Sequence, residues 1–449
     1  MIKHPFSIPF ALAAALVLGA CESATAPSAP SDATLVEAVR TAALPLSGGA
    51  ADYEPLLAMT GGASVVLLGE ATHGTHEFYR ERARISRELV ARQGYGALLI
   101  EGEWPAAERV NRYVRGEGTD VTAEAALGGF RRFPTWMWRN AEVVELVEWL
   151  RAHNQTLPPE SRVGVYGLDM QFSLYASIPK VLAYLERTDP AAAEAAAARY
   201  ACFDVFRDEA AYGLAVSGGR SEACSAPAGE QLAEMERRLN VSPATRADAE
   251  LFAAVQSARV VRNAESFYRT SSMGGSGWNV RDQHFAETIE AVLAHLQARG
   301  LPAKLAAWAH NSHVGDARAT SAADRGELNV GQLVRQRHGD RAVLVGFTTF
   351  RGTAIAAREW GDPGTQRTVR DAHPGSYEGL FHEVGIPAFL LPLRGGTARD
   401  ALLTPRLQRA IGVVYLPESE MQSHYFAAEL PSQFDAIIHF DVTRSVTPL

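Results

Sequence analysis

The chain has 449 residues, of which 47% are hydrophobic and 21% are charged. This composition is typical of a globular protein, and the length suits one large or two modest domains. The formal net charge of −8 argues against nucleic acid as the main partner, because proteins that bind phosphate backbones carry a basic surface.

Residues 1–20 have the pattern of an export signal. A basic start with Lys3 is followed by the apolar run 8–18 and then by Leu-Gly-Ala before Cys21. The apolar run is too short to span a bilayer. The Leu-Gly-Ala-Cys ending resembles the lipobox of bacterial lipoproteins, in which the cysteine carries the lipid. An ordinary signal peptide with an incidental cysteine is the alternative.

The lipobox pattern predicts an exported protein that is lipidated at Cys21 and touches the membrane only through this anchor. The small and polar residues of 21–32 predict a flexible tether. Glu22 is not the aspartate that retains many lipoproteins in the inner membrane. We therefore expect a location at the outer membrane or in the periplasm.

Strand and helix patterns alternate over 33–172, which we predict to be the first part of an α/β domain. Apolar strand patterns occur at 64–69, 96–101 and 163–168, and helical patterns occur at 75–93, 105–115 and 138–153. Apolar runs of about six residues between helical patterns indicate a parallel sheet with helices on its faces.

Strand patterns disappear over 173–299, which predicts a helical insertion of three to five helices. They return over 300–449, the predicted second part of the domain, at 304–309, 342–350, 353–357, 387–391, 412–416 and 435–440. The predicted fold class is therefore α/β, with a mostly parallel sheet, flanking helices and a helical insertion that interrupts the domain.

Two cysteines, Cys202 and Cys224, follow the leader, and both lie in the predicted insertion. An exported protein meets an oxidising compartment, so we expect these two to form a disulfide. Free thiols are the alternative.

Ionisable side chains follow four of the predicted strands at the point where each strand ends. In chain order they are Glu70 and His73, Glu101 and Glu103, Asp169, and His310 and His313. Ligands bind outside the carboxyl ends of parallel strands in an open α/β sheet. The convergence of four strand ends therefore predicts an active site at that edge.

Other catalytic patterns are incomplete. The run around Ser376 lacks the glycine spacing of a nucleophile elbow, and Ser177 to Lys180 matches S-x-x-K without its companion motifs. A metal site remains open, because histidine and carboxylate side chains are typical zinc ligands. Its candidate ligands are Glu70, His73, Glu101, His310 and His313.

Five segments resemble the motifs of the erythromycin esterase family: GEATHGTHEF at 69–78, WMWRN at 136–140, GLDMQ at 167–171, NVRD at 279–282 and WAHNSH at 308–313. The resemblance runs from about residue 60 to the C-terminus. It implies an α/β domain with a helical insertion. It also implies hydrolysis of the macrolactone ester of erythromycin, the resistance activity of some members. The lipoprotein-like leader is a departure, since the best-known resistance esterases are intracellular.

The resemblance also implies roles for individual residues. The catalytic histidine of the family corresponds to His73. The other functional positions of the family correspond to Glu70, Arg82, Glu101, His310 and His313.

The residue types fit hydrolysis of an ester by activated water, without a cofactor. Histidine ordinarily titrates near pH 6.5, so we assign His73 as the general base. Glu70 or Glu101 would orient its imidazole, as a carboxylate does in the serine triad. The oxyanion would be stabilised by Arg82, or by His310 and His313.

The partner that we expect is a small-molecule ester. Trp136, Trp138 and Trp278 are candidates for an apolar pocket, with packing in the core or a lid as the alternative. Asp169 is expected to face the substrate, and Arg281 and Asp282 head a helix that is expected to close the cleft.

Two other functions remain open on the sequence alone. One is a metal-dependent hydrolase of another envelope substrate, and the other is a non-catalytic envelope protein that binds a glycan or lipid. The sequence makes no prediction about oligomeric state.

Overall fold

The computed structural model describes residues 31–449, so the predicted signal and Cys21 lie outside the described part. Helix α1 begins at Asp32, where the side chain of Ser31 accepts a hydrogen bond from the backbone of Thr34. The last residue of the predicted tether is therefore helical. No helix within 31–449 is both long and apolar enough to cross a membrane.

The strands in chain order are β1 (Leu44–Pro45), β2 (Val65–Leu68), β3 (Ala97–Glu103), β4 (Gly164–Asp169), β5 (Leu305–Trp308), β6 (Ala342–Ala356), β7 (Thr365–Val369), β8 (Ala388–Pro392), β9 (Arg406–Arg409), β10 (Tyr425–Ala428) and β11 (Ala436–Thr443).

The first helices are α1 (Asp32–Ala42), α2 (Glu54–Thr60), α3 (His76–Gln93), α4 (Trp104–Val114), α5 (Ala123–Leu127) and α6 (Ala141–Gln155). The middle helices are α7 (Leu174–Thr188), α8 (Pro190–Tyr200), α9 (Glu209–Ser217), α10 (Ser225–Leu239), α11 (Pro243–Ala247), α12 (Ala249–Ser272) and α13 (Gly277–Ala298). The last are α14 (Asn311–Val314), α15 (Val330–His338), α16 (Tyr377–Glu383), α17 (Thr397–Ala401), α18 (Glu420–Ser423) and α19 (Leu430–Gln433).

A central sheet has the strand order β1-β8-β11-β6-β2-β5-β3-β4, and β7 pairs with the far end of β6. Pairing is parallel from β11 through to β4, whereas β1, β7 and β8 run antiparallel to their neighbours. All four residues of β2 are buried, as expected for a parallel strand that helices cover on both faces. The predicted α/β class is confirmed.

The middle block contains helices α7 to α13 between β4 and β5, seven in number rather than the predicted three to five. Two short helices raise the number, because Asp208 caps α9 and Ser242 caps α11 where the apolar periodicity is weak. The structure joins Cys202 and Cys224 in a disulfide, with their Cα atoms 6.0 Å apart. The boundaries at 172/173 and 299/300 stay a sequence-based prediction.

Two strand predictions in the second half are wrong. The runs 342–350 and 353–357 form one strand, β6, which passes close to β11 at Gly352, where a side chain would collide with the backbone of Thr443. The run 412–416 is not a strand and makes only single bridges, through residues such as Val414. The ribbon beside it is β9 with β10. The Arg-Leu-Gln-Arg sequence of β9 carries little strand pattern.

Candidate active site

The turn after β2 brings ionisable side chains to the carboxyl edge of the sheet because glycines let the backbone pass through crowded space. A side chain at Gly69 would collide with the Asn311 amide, and one at Gly74 would collide with the backbone of Ile355. The turn therefore leaves the strand without a bulky residue and places Glu70 and His73 above the neighbouring strands.

A buried chain of charge-assisted contacts runs from Arg82 through Glu70 to His73. Arg82 Nη2 donates to Glu70 Oε2 at 2.8 Å, and Glu70 Oε1 lies 2.9 Å from His73 Nδ1. Arg82 and Glu70 are fully buried, and the guanidinium stacks over Tyr79 and Trp308 at 4.5 and 4.6 Å. The other imidazole nitrogen of His73, Nε2, makes no hydrogen bond to residues 31–449. The arrangement fixes the imidazole and leaves one nitrogen available for chemistry.

His310 faces His73, with the ring centroids 4.8 Å apart. Burial and the neighbouring His73 lower the pKa of His310 to about 3, so its imidazole is neutral at physiological pH. Its Nδ1 accepts from the Ser312 backbone N–H at 3.3 Å, which leaves the proton on Nε2. That atom is buried without a hydrogen-bond partner in the described part of the chain. His310 is therefore a neutral, buried imidazole beside His73, and its Nε2–H is a hydrogen-bond donor.

Arg281 joins the ends of three strands. It donates to Glu101 at 2.8 Å and to Asp169 at 2.7 Å, and its Nη1 lies 2.8 Å from Nε2 of His313. Burial opposes the charge of Glu101, but the charges of His313 and Arg281 hold the pKa of that carboxyl well below its usual range. The remaining oxygen of Glu101 accepts the His310 backbone N–H at 2.8 Å.

His313 lies behind this network and is 2% exposed. Its Nδ1 lies 2.9 Å from Asp282 Oδ2, and Trp278 stacks on its ring at a centroid distance of 4.2 Å. Burial disfavours the imidazolium, yet Asp282 and Glu101 raise the pKa of His313 to about 9. Burial raises the pKa of Asp282.

A pocket of about 460 Å³ opens above these side chains. Its polar wall contains His73, Glu101, Glu103, Arg132, Asp169, Gln171, Arg281, His310, Ser312 and His313. Its aromatic wall contains Phe130, Phe133, Trp138, Phe172, Trp278 and Trp360. A polar base beside an aromatic mouth suits a ligand with one reacting polar group and a bulky apolar body.

The structure brings most of the sequence-predicted residues together, but some of them line the pocket and others lie behind it. His73, Glu101, Asp169, Arg281, His310 and His313 line the pocket, as do Trp138 and Trp278. Glu70 and Asp282 lie behind them and contact the pocket residues His73 and His313. Arg82 lies further back and contacts Glu70. Asp282 therefore positions His313 and does not line the cleft.

Trp136 was expected in the pocket, and its placement differs. It is 4% exposed and packs edge-on against Phe133 at 5.3 Å. A side chain at Gly364 would collide with the Trp136 ring. Trp136 therefore supports the β6–β7 connection, and the alternative of core packing describes it correctly.

Two residues of the pocket, Trp360 and Glu103, do not belong to any motif in the sequence. Trp360, on the β6–β7 connection, is 59% exposed and lies 4.9 Å from the Phe133 ring and 6.5 Å from the Phe172 ring. Burial raises the pKa of Glu103 to about 7, with Asp169 and Glu209 adding to the shift. Only the position of Glu103 after a strand end hinted at a role.

The residues proposed as metal ligands are already engaged with one another. Within residues 31–449, no three histidine, cysteine, aspartate or glutamate side chains are arranged to hold a metal ion. Glu70 uses both oxygens on His73 and Arg82, and Glu101 uses its two on Arg281 and the His310 backbone. Metal binding would require these contacts to break.

Comparison with known proteins identifies the family of the chain. The family model described as erythromycin esterase matches residues 90–443. The chain belongs to the erythromycin esterase family. The matched segment includes Glu101, Arg281, His310 and His313 and begins after His73. An erythromycin esterase type II from Escherichia coli is 22% identical over 409 residues, which is 87% of this chain and 92% of the relative.

Solved structures share the fold at low identity. A succinoglycan biosynthesis protein is 21% identical with a TM-score of 0.75, covering 93% of this chain and 98% of its own. A protein from Bacillus cereus is 20% identical with a TM-score of 0.76, covering 94% and 100%. A mutant erythromycin esterase in its open conformation is 18% identical with a TM-score of 0.60, covering 87% and 93%. The protein is therefore a member of this hydrolase family with the fold of its relatives.

Proposed function

We propose that this family member hydrolyses a carboxylic ester with a water molecule that His73 activates. The buried Arg82–Glu70–His73 chain is the observation that carries the proposal. It holds Nδ1 of His73 against a carboxylate at 2.9 Å, so Nε2 is the nitrogen that accepts a proton from water.

The reaction then proceeds through a tetrahedral intermediate. The water oxygen bonds to the acyl carbon while its proton passes to His73 Nε2. The carbonyl oxygen becomes an oxyanion, and we assign the Nε2–H of the neutral His310 beside His73 as the donor to it. Such a donor strengthens as charge develops, and its loss typically costs about 3 kcal/mol of barrier. Collapse breaks the bond to the alkoxide, which takes the proton back from His73.

The ion pairs around Arg281 hold the strand ends of the site in fixed positions. Arg281 spans Glu101, Asp169 and His313, so it fixes the ends of β3, β4 and the turn after β5 relative to one another. The carboxylate of Glu70 stabilises the imidazolium form of His73 that appears during the reaction. No cofactor is needed for these steps.

The substrate that we propose is a bulky apolar ester, with a macrolide lactone as one candidate. The aromatic mouth formed by Phe133, Phe172 and Trp360 supports an apolar body of that kind. The relative from Escherichia coli that is called an erythromycin esterase supports the lactone.

A panel of macrolides and aryl esters, assayed with and without a chelator, tests this function. We expect hydrolysis of at least one bulky ester, at a rate that exhaustive chelation leaves unchanged. Loss of activity that zinc restores would favour the metal-dependent mechanism. Binding of the panel without any turnover would favour a non-catalytic envelope protein.

We also propose that the protein is exported and anchored in the bacterial envelope through lipid on Cys21. The pairing of Cys202 with Cys224 supports an oxidising location. The several acyl chains of a lipoprotein should hold the protein firmly on a membrane. Cys21→Ser should release it to the soluble periplasmic fraction, whereas continued membrane association would refute lipidation.

A further inference from the structure

A second cavity, of about 510 Å³, lies apart from the active site between α4, the edge strand β4 and helices α7, α12 and α13. None of the residues lining it takes part in the proposed ester chemistry. Its floor is aromatic, and its walls carry five cations and three carboxylates. Lys180 pairs with Glu108, Arg187 with Glu250 and Arg115 with Glu117. Arg112 and Arg299 therefore remain without a carboxylate partner in residues 31–449. A basic concave surface is unexpected in a chain whose formal net charge is −8.

The floor offers flat apolar rings to a ligand. Trp104 and Tyr166 stack at a centroid distance of 5.8 Å, and Phe252 meets Tyr166 edge-on at 6.2 Å. His295 stacks on Phe252 at 4.1 Å, and burial lowers the pKa of His295 to about 4. His295 is therefore neutral at physiological pH and belongs with the aromatic floor. A planar ring placed here would gain stacking contacts as well as apolar burial.

One guanidinium group beside this floor, that of Arg299, is not compensated by a carboxylate of the described residues. Arg115 pairs with Glu117 at 3.2 Å, whereas Arg299 has no carboxylate partner in residues 31–449 and donates to the Glu160 carbonyl at 2.6 Å. Burial and the charge of Arg115 lower the pKa of Arg299. An anion between the two arginines would relieve this repulsion.

Tyr166 lines the same cavity as these two arginines. Burial raises the pKa of Tyr166, whereas the charges of Arg115 and Arg299 lower it. The hydroxyl of Tyr166 makes no hydrogen bond to the described residues, although the ring lines the cavity and is 6% exposed. It can therefore donate to the same anion that the arginines attract.

We propose that this cavity is a binding site for a small aryl anion, with its ring on the Trp104–Tyr166 floor and its phosphate or carboxylate between Arg299, Arg115 and the Tyr166 hydroxyl. The proposal is independent of the ester chemistry. Trp104 directly follows Glu103 at the β3–α4 junction, so the ligand contacts the same turn that carries Glu101 and Glu103 into the active site.

Titration calorimetry of the full chain tests the site with phenyl phosphate, inorganic phosphate and phenol as probes. We expect phenyl phosphate to bind at one site and more tightly than either fragment, because ring and anion each contribute. Arg299→Gln should weaken it by about tenfold or more, since a charged hydrogen-bond donor is lost. Tyr166→Phe removes only the hydroxyl and should weaken it by roughly threefold.

Arg151→Gln is the matched control, because Arg151 is half-buried, stacks on Tyr113 at 4.4 Å and lies outside the cavity. It should leave the affinity unchanged. The proposal is overturned if phenyl phosphate does not bind, if inorganic phosphate binds as tightly, or if Arg299→Gln and Tyr166→Phe both bind like the wild type. Thermal unfolding of each variant confirms that the fold is kept.

Discussion

Two histidine–carboxylate pairs stand at the same edge of the sheet, and their surroundings give them different tasks. His73 contacts Glu70 at 2.9 Å and His313 contacts Asp282 at 2.9 Å, each through Nδ1. The second nitrogen of His73 makes no hydrogen bond to the described residues, whereas that of His313 faces Arg281 and Glu101. Under the mechanism proposed above, the first pair supplies the base and the second is a fixed support.

The carboxylates of the two pairs also differ in what neutralises them. Glu70 is held by the buried guanidinium of Arg82, while burial raises the pKa of Asp282, and the histidine beside it carries the compensating charge. The group that neutralises the carboxylate, an arginine in one pair and the histidine itself in the other, therefore determines whether the histidine can gain and lose a proton during a reaction.

The largest expected effect comes from removing the cation behind Glu70. Arg82→Met should lower the free energy of unfolding by about 3–5 kcal/mol, because it leaves a buried carboxylate without its charged partner. Chemical denaturation measures this change, with Arg92→Met, an exposed arginine of the same helix, as the control. A loss no larger than that of the control would mean that Glu70 is not held as a charged group.

Glu70→Gln should reduce kcat by about a hundredfold with little change in KM, since the imidazolium of His73 would lose its carboxylate. Steady-state kinetics on the best ester of the panel measures the split. Glu81→Gln is the matched control. Glu81 lies on α3 and, like Glu70, is a buried carboxylate that pairs with arginine. An equal effect of both substitutions would assign the loss to the fold rather than to His73.

The His313 pair should make stability depend on alkaline pH. Its pKa of about 9 in the folded protein exceeds the ordinary value of about 6.5 in the unfolded chain. The stabilisation is therefore complete below about pH 6.5 and is lost as the pH rises through about 9, and it amounts to about 3 kcal/mol. Denaturation across this range should show the loss in the wild type and not in His313→Gln. A parallel pH dependence in both proteins would contradict the raised pKa.

The smallest expected effect lies at the pocket mouth. Trp360→Ala should raise KM for a bulky apolar ester several-fold, about 1 kcal/mol, and leave kcat nearly unchanged, because the ring contacts the substrate body rather than the reacting group. Trp149→Ala, at a half-buried tryptophan of α6 that does not line the pocket, serves as the control. An unchanged KM would remove Trp360 from substrate recognition.

The sequence predicts the ionisable residues at the strand ends better than it predicts the aromatic residues around the pocket. Buried parallel strands such as β2 read as continuous apolar runs, so the ionisable residues that follow them, such as Glu70 and His310, can be placed together. Trp136 and Trp360 could not be distinguished in this way, because their exposure depends on how the β6–β7 connection packs. The strand β9 was missed because its residues alternate with charges, and its pairing with β10 is set by tertiary contacts.

The kinetic effect of His73→Gln tests the central claim most directly. The account predicts that kcat for ester hydrolysis falls by about a hundredfold or more, while thermal unfolding stays near that of the wild type. His153→Gln, a half-buried histidine on α6, should keep full activity under the same conditions. Turnover by His73→Gln within about twofold of the wild type would contradict the assignment of His73 as the general base.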